Sequence, residues 1–198
     1  MFPSVLIQLD NHPSERELIG KIILAYGEIE FMIMDLVCAA LKEDIRTALR
    51  TLFRLRSENN RLQVADAIAR PWFVAQKLEG HYAEAITAAR HCMAFRNQYA
   101  HCTWVSDPDG QLRFGNLEDA AKQTGTKSTI AMRPLTLDLL KRQYGYFSFA
   151  EHQLLWVTDE YRLKTKQKRK LEPNQRIPKP KRVSPPNLDS RGEARTHQ

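Results

Sequence analysis

Glycine is scarce in this chain, with 8 in 198 residues. Turn-rich β folds use glycine heavily, so its scarcity favours helices. Cysteine is scarcer still. Cys38, Cys92 and Cys102 are odd in number and form no CxxC pair, which argues against a disulfide framework and against a cysteine-based metal site. They read as buried or half-buried thiols. No apolar run approaches the roughly 20 residues of a membrane helix. The nearest, IEFMIMDLVCAALK, is interrupted by Glu30 and Asp35. The opening MFPSVLIQLDNHPSE lacks the basic start and small-residue cleavage site of a signal peptide. The expectation is a cytoplasmic protein with no membrane segment.

The composition is that of an ordinary globular chain, 42% apolar and 27% charged. At this length one domain has room for a real core and an appendage. The net charge of +7 is unevenly spread. From Arg162 to the C-terminus there are 12 basic and 3 acidic residues, a net of +9, which leaves 18 basic and 20 acidic residues, a net of −2, for the rest. The body is nearly neutral and carries no global nucleic-acid signature.

Residues 1–13 form a short apolar lead-in. Ser14 with Glu17 three residues on reads as a capping box, opening a helix over about 14–42 with Ile19, Ile22, Ile23, Tyr26, Ile29, Ile33, Val37 and Ala40 on its apolar stripe. A second helical region over about 43–70 breaks near Ser57, which can cap ENNRLQVADAIAR, and Pro71 ends it or starts the next. The third helix is expected over about 72–101. CTWVSDPDGQLRFGNL then alternates around Asp-Pro-Asp-Gly and predicts a hairpin, Thr103–Ser106 with Gln111–Gly115; STIAMRPL can add a third short strand. Thr136 starts the last long helix, to about 165. Residues 166–198 are basic, proline-rich and without apolar periodicity, so they are expected to be disordered. The expected fold is all-α: an antiparallel bundle of four main helices over 14–165, with a β-hairpin inserted between the third and fourth and a disordered tail.

The end of the third helix, CMAFRNQYAHCTW, crowds polar residues where the apolar stripe should continue. At about 100° per residue, Arg96 falls in line with Leu78, at the centre of the stripe. Asn97 and His101, four apart, share a flank. An arginine pointing at a core needs a partner, because an unpaired buried charge is very costly. Two readings stand level. Glu30 on the first helix pairs with Arg96, or the stripe opens into a cleft where the planar guanidinium meets a phosphate. His101 is either a cation at a helix C-terminus or, balanced against the arginine, a group that transfers protons near neutral pH.

Arg-Asn-Gln-Tyr-Ala-His, with arginine and histidine separated by four residues and a polar residue after the arginine, resembles the signature of HEPN domains. The resemblance is strong over those six residues and extends by helical pattern over 14–165. It implies an antiparallel helical bundle and, as in many members, a metal-independent endoribonuclease of toxin–antitoxin or phage-defence systems, working without a cofactor. It also implies a homodimer with a composite cleft, and an antitoxin protein as a further partner. On that resemblance Arg96 polarises the scissile phosphate of RNA, His101 is the general acid or base, and Asn97 positions the phosphate or His101.

Glu30 is an auxiliary candidate, orienting Arg96 or lying on the surface as an ordinary acid. Tyr99 is another: with Trp104 it flanks the motif, as a core or dimer contact or as a platform for a base. Arg46, Arg50 and Arg54 are successive i+4 neighbours, with Arg61 close behind, and make a basic ridge that can track an RNA backbone or simply be solvated. His81 and His91 have no second ligand at i+4, so no metal is expected. The alternative function is a non-catalytic HEPN-like bundle that binds nucleic acid or protein.

Overall fold

The computed structural model describes residues 5–124, 129–168 and 176–189. Among these, 66% are helical, in seven helices, beside a small three-stranded antiparallel sheet. In chain order the elements are α1 (Val5–Asp10), α2 (Pro13–Leu41), α3 (Ile45–Leu52), α4 (Glu58–Ala75) and α5 (Glu79–Ala100). Then come β1 (Cys102–Ser106), β2 (Leu112–Asn116), α6 (Leu117–Ala121), β3 (Arg133–Pro134) and α7 (Leu137–Lys164). No described helix is long and apolar enough to cross a membrane.

The chain resolves into two compact units. The first holds the segments 1–25, 94–146 and 185–198, and the second 26–93 and 147–184. In the first unit the sheet has the order β1-β2-β3, with Trp104 opposite Phe114 and Val105 opposite Arg113. The Asp-Pro-Asp-Gly turn is the expected one. Asp107 Oδ1 accepts from the amides of Asp109 and Gln111, and Gly110 takes φ 77°, a conformation that favours glycine. Trp104, Leu112 and Phe114 are buried, and Tyr99 packs against the rings of Trp104 and Phe114. The lead-in contains α1. Gln8 Oε1 accepts from the Ser106 amide at 3.1 Å and His12 Nε2 lies 2.9 Å from Ser106 Oγ, so α1 and its following turn are fastened to β1.

The second unit is built on an aromatic and aliphatic core that includes Tyr26, Ile29, Leu62, Phe73, Tyr82, Ile86, Phe147 and Tyr161. Phe73 stacks on Tyr161 and tilts against Tyr82, with centroids 4.4 and 4.8 Å away. Arg70 and Arg90 converge on Asp66, each 3.0 Å from its carboxylate. Arg162 spans Asp35 with two hydrogen bonds.

Several expected boundaries move. Pro13 occupies the first helical position of α2, where its missing N–H costs nothing, so Ser14 lies inside the helix and does not cap it. Ser57 caps α4 as expected, accepting from the Asn60 amide. Pro71 neither ends nor starts a helix: it lies within α4, which runs on to Ala75. There Lys77 takes the left-handed conformation at φ 57°, and α5 begins at Glu79 instead of 72. Thr136 caps α7, its hydroxyl accepting from the Leu139 amide.

The tail departs most from expectation. Residues 169–175 and 190–198 lie outside the described residues, but 176–189 are placed, without regular secondary structure and with Pro180 buried. A proline-rich segment without helix or strand has carbonyls that no internal hydrogen bond satisfies. Side chains supply the donors. In the first unit Gln98 Nε2 donates to Leu188 O, and Gln143 Nε2 to Asn187 O at 2.7 Å. In the second, His152 Nε2 lies 2.8 Å from Pro178 O, and Lys179 lies over the Trp156 ring. Apolar periodicity misses such a strap because its anchoring is polar.

Candidate functional site

The motif occupies the last turn of α5 and the residue after it, all in the first unit. The inward face there is made by Phe95, Gln98 and Tyr99. An ideal wheel carried from Leu78 puts Arg96 at the stripe's centre, but the buried face turns towards Phe95 and Tyr99. Arg96 therefore sits at its edge, half-buried, beside half-buried Asn97. Arg96 Nη1 donates to Asn97 Oδ1 at 3.0 Å. Asn97 thus orients the guanidinium of Arg96.

Glu30 belongs to a different pair. Its Oε1 accepts from Arg61 Nε at 2.7 Å, and both side chains are largely shielded from solvent. Sequence spacing could not separate the two arginines as partners, because the choice depends on how helices distant in sequence pack.

Tyr99 is a core residue. It is 3% exposed, lies beside Trp104 and Phe114, and donates its hydroxyl to Gln143 Oε1 at 2.6 Å. Burial pushes the phenol far above its ordinary value, so it is a neutral donor near pH 7 and offers no ring face to a base. Gln143, fully buried, passes the connection on to Asn187 O. This Tyr99–Gln143–strap chain is a feature the sequence hides. A glutamine on an amphipathic helix carries no mark of being buried.

His101 stands just beyond α5, at the junction with β1, and its side chain is 55% exposed. Its carbonyl accepts from the Leu117 amide at 2.9 Å, which ties the junction to the start of α6. Asn116 strengthens the tie: its Oδ1 accepts from the amides of Glu118 and Asp119, while its Nδ2 donates to Gln98 O at 3.2 Å. The Asn-Leu-Glu-Asp run was a readable cap signal for this short helix. Glu118 Oε1 lies 3.8 Å from His101 Nε2, and both groups are more than half exposed.

The fold therefore brings Arg96 to Asn97 and His101 to Glu118. Of the ridge arginines, Arg46 and Arg50 lie on α3, whereas Arg54 falls past its end at Leu52; all three are exposed and belong to the second unit. Comparisons with protein-family models, with curated proteins and with solved structures find no match to this chain.

Proposed function

We propose that the protein is a metal-independent endoribonuclease of HEPN type that uses Arg96, Asn97 and His101. The observation carrying this reading is that the half-buried Arg96 is oriented by Asn97 on the turn that leads directly to the solvent-accessible His101. A held guanidinium suits a phosphate, and an exposed imidazole can exchange protons with bound substrate and water.

In the reaction, the RNA 2′-oxygen attacks its own phosphorus. A base removes the 2′-proton, the P–O5′ bond breaks and the departing 5′-oxygen takes up a proton. The products end in a 2′,3′-cyclic phosphate and a 5′-hydroxyl. The nucleophile is already attached, so positioning contributes much of the rate. Arg96 stabilises charge that builds on the phosphate oxygens. His101 moves one of the protons. The proposal includes the family's plan: an antiparallel bundle with α2, α4, α5 and α7 as its four main helices, two chains forming the working cleft, and a toxin–antitoxin or phage-defence setting in the cytoplasm.

The test is incubation of the purified protein and its His101→Ala variant with mixed RNA in excess EDTA, with end-group analysis. Cleavage by the wild type alone, leaving 2′,3′-cyclic phosphate, is the expected outcome. His101 is exposed, so the variant should keep its fold and its melting temperature. Equal cleavage by both proteins, or none, favours a second reading, a non-catalytic module that binds nucleic acid or protein. That reading draws on α3, whose exposed arginines require no catalytic neighbour.

A further inference from the structure

The segment from Ile45 to Ser57 contains four arginines and no acidic residue. Its helix, α3, is anchored from below by Ala48 and Leu52, 3% and 2% exposed. Its N-terminus is capped by Asp44, which accepts from the Thr47 amide at 3.0 Å. The outer face is unusual for a solvated helix. Ile45, Leu49 and Phe53 recur every four residues and remain 42%, 41% and 47% exposed. Arg46, Arg50 and Arg54 run beside them in a parallel row, exposed as well.

This surface is held in shape before anything binds. Arg61, fixed by Glu30, donates through Nη1 to the carbonyls of Leu55 and Arg56 at 2.8 and 3.3 Å, and its guanidinium lies over the Phe53 ring at 5.2 Å. The turn carrying Phe53 and Arg54 is thereby pinned to α4, which lowers the ordering cost of binding.

We propose that this face docks an acidic amphipathic helix of another protein. The apolar stripe of that helix covers Ile45, Leu49 and Phe53, and its carboxylates, at four-residue spacing, meet Arg46, Arg50 and Arg54. Charge complementarity and the pairing of the two rows favour this occupant. An RNA backbone would satisfy the arginines but leave aliphatic Ile45 and Leu49 uncovered, since neither has the planar face that stacks on a base. An anionic bilayer suits a longer helix, with basic residues on both sides of its apolar face; here Thr47 and Thr51 occupy the far side. The inference is independent of the ribonuclease reading.

The test uses the full-length chain and a fluorescein-labelled synthetic helix bearing a leucine stripe flanked by glutamates every four residues, read by fluorescence anisotropy. Saturable binding is expected, weakened on the order of tenfold by Arg46→Glu with Arg50→Glu and also weakened by Leu49→Ser. Replacing the peptide's glutamates with lysines should restore binding to the charge-reversed protein. All substituted positions are exposed, and melting curves verify that the fold is kept. Absence of saturable peptide binding, or binding indifferent to these substitutions, overturns the proposal. Binding of a single-stranded RNA oligomer or of phosphatidylserine vesicles that depends on Arg46 and Arg50 but not on Leu49, without peptide binding, overturns it in favour of a purely electrostatic ridge.

Discussion

Gln143 has no exposed surface, yet its amide makes three hydrogen bonds: it accepts from Tyr99 and donates to the carbonyls of Asn187 and Leu188. Replacing it by leucine keeps the bulk and strands the Tyr99 hydroxyl, and a stranded buried polar group costs about 1–3 kcal/mol. Gln143→Leu should therefore lower the melting temperature by roughly 3–10 °C for a chain of this size, measurable by circular dichroism; an unchanged transition would show that the network contributes nothing. Arg96 makes the opposite case. It is half-buried at the edge of the core, so Arg96→Ala should cost no more than about 1 kcal/mol while abolishing RNA cleavage. Arg96→Lys should also cleave poorly, because lysine lacks the planar fork that Asn97 orients. Cys102 is a residue whose chemistry is suppressed by its surroundings. Burial, the largest influence, pushes its thiol up to about 12. Iodoacetamide at pH 8 should leave it unmodified in the native protein and alkylate it after denaturation.

At the level of elements, three lysines hold backbone conformations usually left to glycine. Lys42, Lys77 and Lys166 have φ of 57°, 57° and 58° and follow the ends of α2, α4 and α7. At Lys77 the amide of Leu78 closes onto Phe73 O at 3.0 Å, the wide loop that ends a helix in a left-handed residue. Such a conformation costs an L-residue roughly 1–2 kcal/mol. Lys77→Gly should recover part of that, on the order of 0.5–1 kcal/mol after glycine's own entropy cost, and raise the denaturant midpoint. The hairpin adds a pH dependence. Hydrogen bonds from the Arg113 side chain, then from the Gln111 amide, hold the Asp107 carboxyl below its ordinary 3.8. A folded value lower than the unfolded one stabilises above the ordinary carboxylate value and loses that contribution as pH falls through the folded value. The hairpin should therefore loosen in acid below about pH 4, visible as loss of the Gln111 amide's protection by NMR. Asp107→Asn should remove that acid step.

For the molecule as a whole, the described stretch 176–189 of the basic C-terminal region is a structural part of the chain. Within the first unit, residues 185–189 satisfy Gln98 and Gln143 and bring Asp189 within 3.8 Å of Arg133. Ending the chain after Ser184 takes away the carbonyls to which the Nε2 groups of Gln98 and Gln143 donate. The melting temperature should fall by about 5 °C or more. An unchanged melting temperature would mean that the strap merely rests on the surface. The charge asymmetry has a different consequence. A tail of net +9 on a body of net −2 is expected to retain polyanions without regard to sequence, by charge alone. Weak RNA retention that disappears with added salt is therefore no evidence for a catalytic site.

What was legible in the sequence was local. Apolar periodicity announced α2, α5 and α7, Ser57 and Thr136 announced the starts of α4 and α7, and Asp-Pro-Asp-Gly announced the hairpin, because each depends on backbone and side-chain chemistry within a few residues. The cluster Arg96, Asn97, His101 was legible for the same reason, since its members lie within one and a half helical turns. Partnership was not legible. Glu30 joined Arg61, His101 came beside Glu118, Phe95 displaced Arg96 from the centre of the buried face, and a proline-rich segment without a hydrophobic pattern was held by glutamine amides. These outcomes depend on which groups, far apart in sequence, are left buried and unsatisfied after packing. Chemistry along the chain set the long helices and the groups they carry; packing settled which charges and amides meet, because the cost of burying a polar group is set by its neighbours in space.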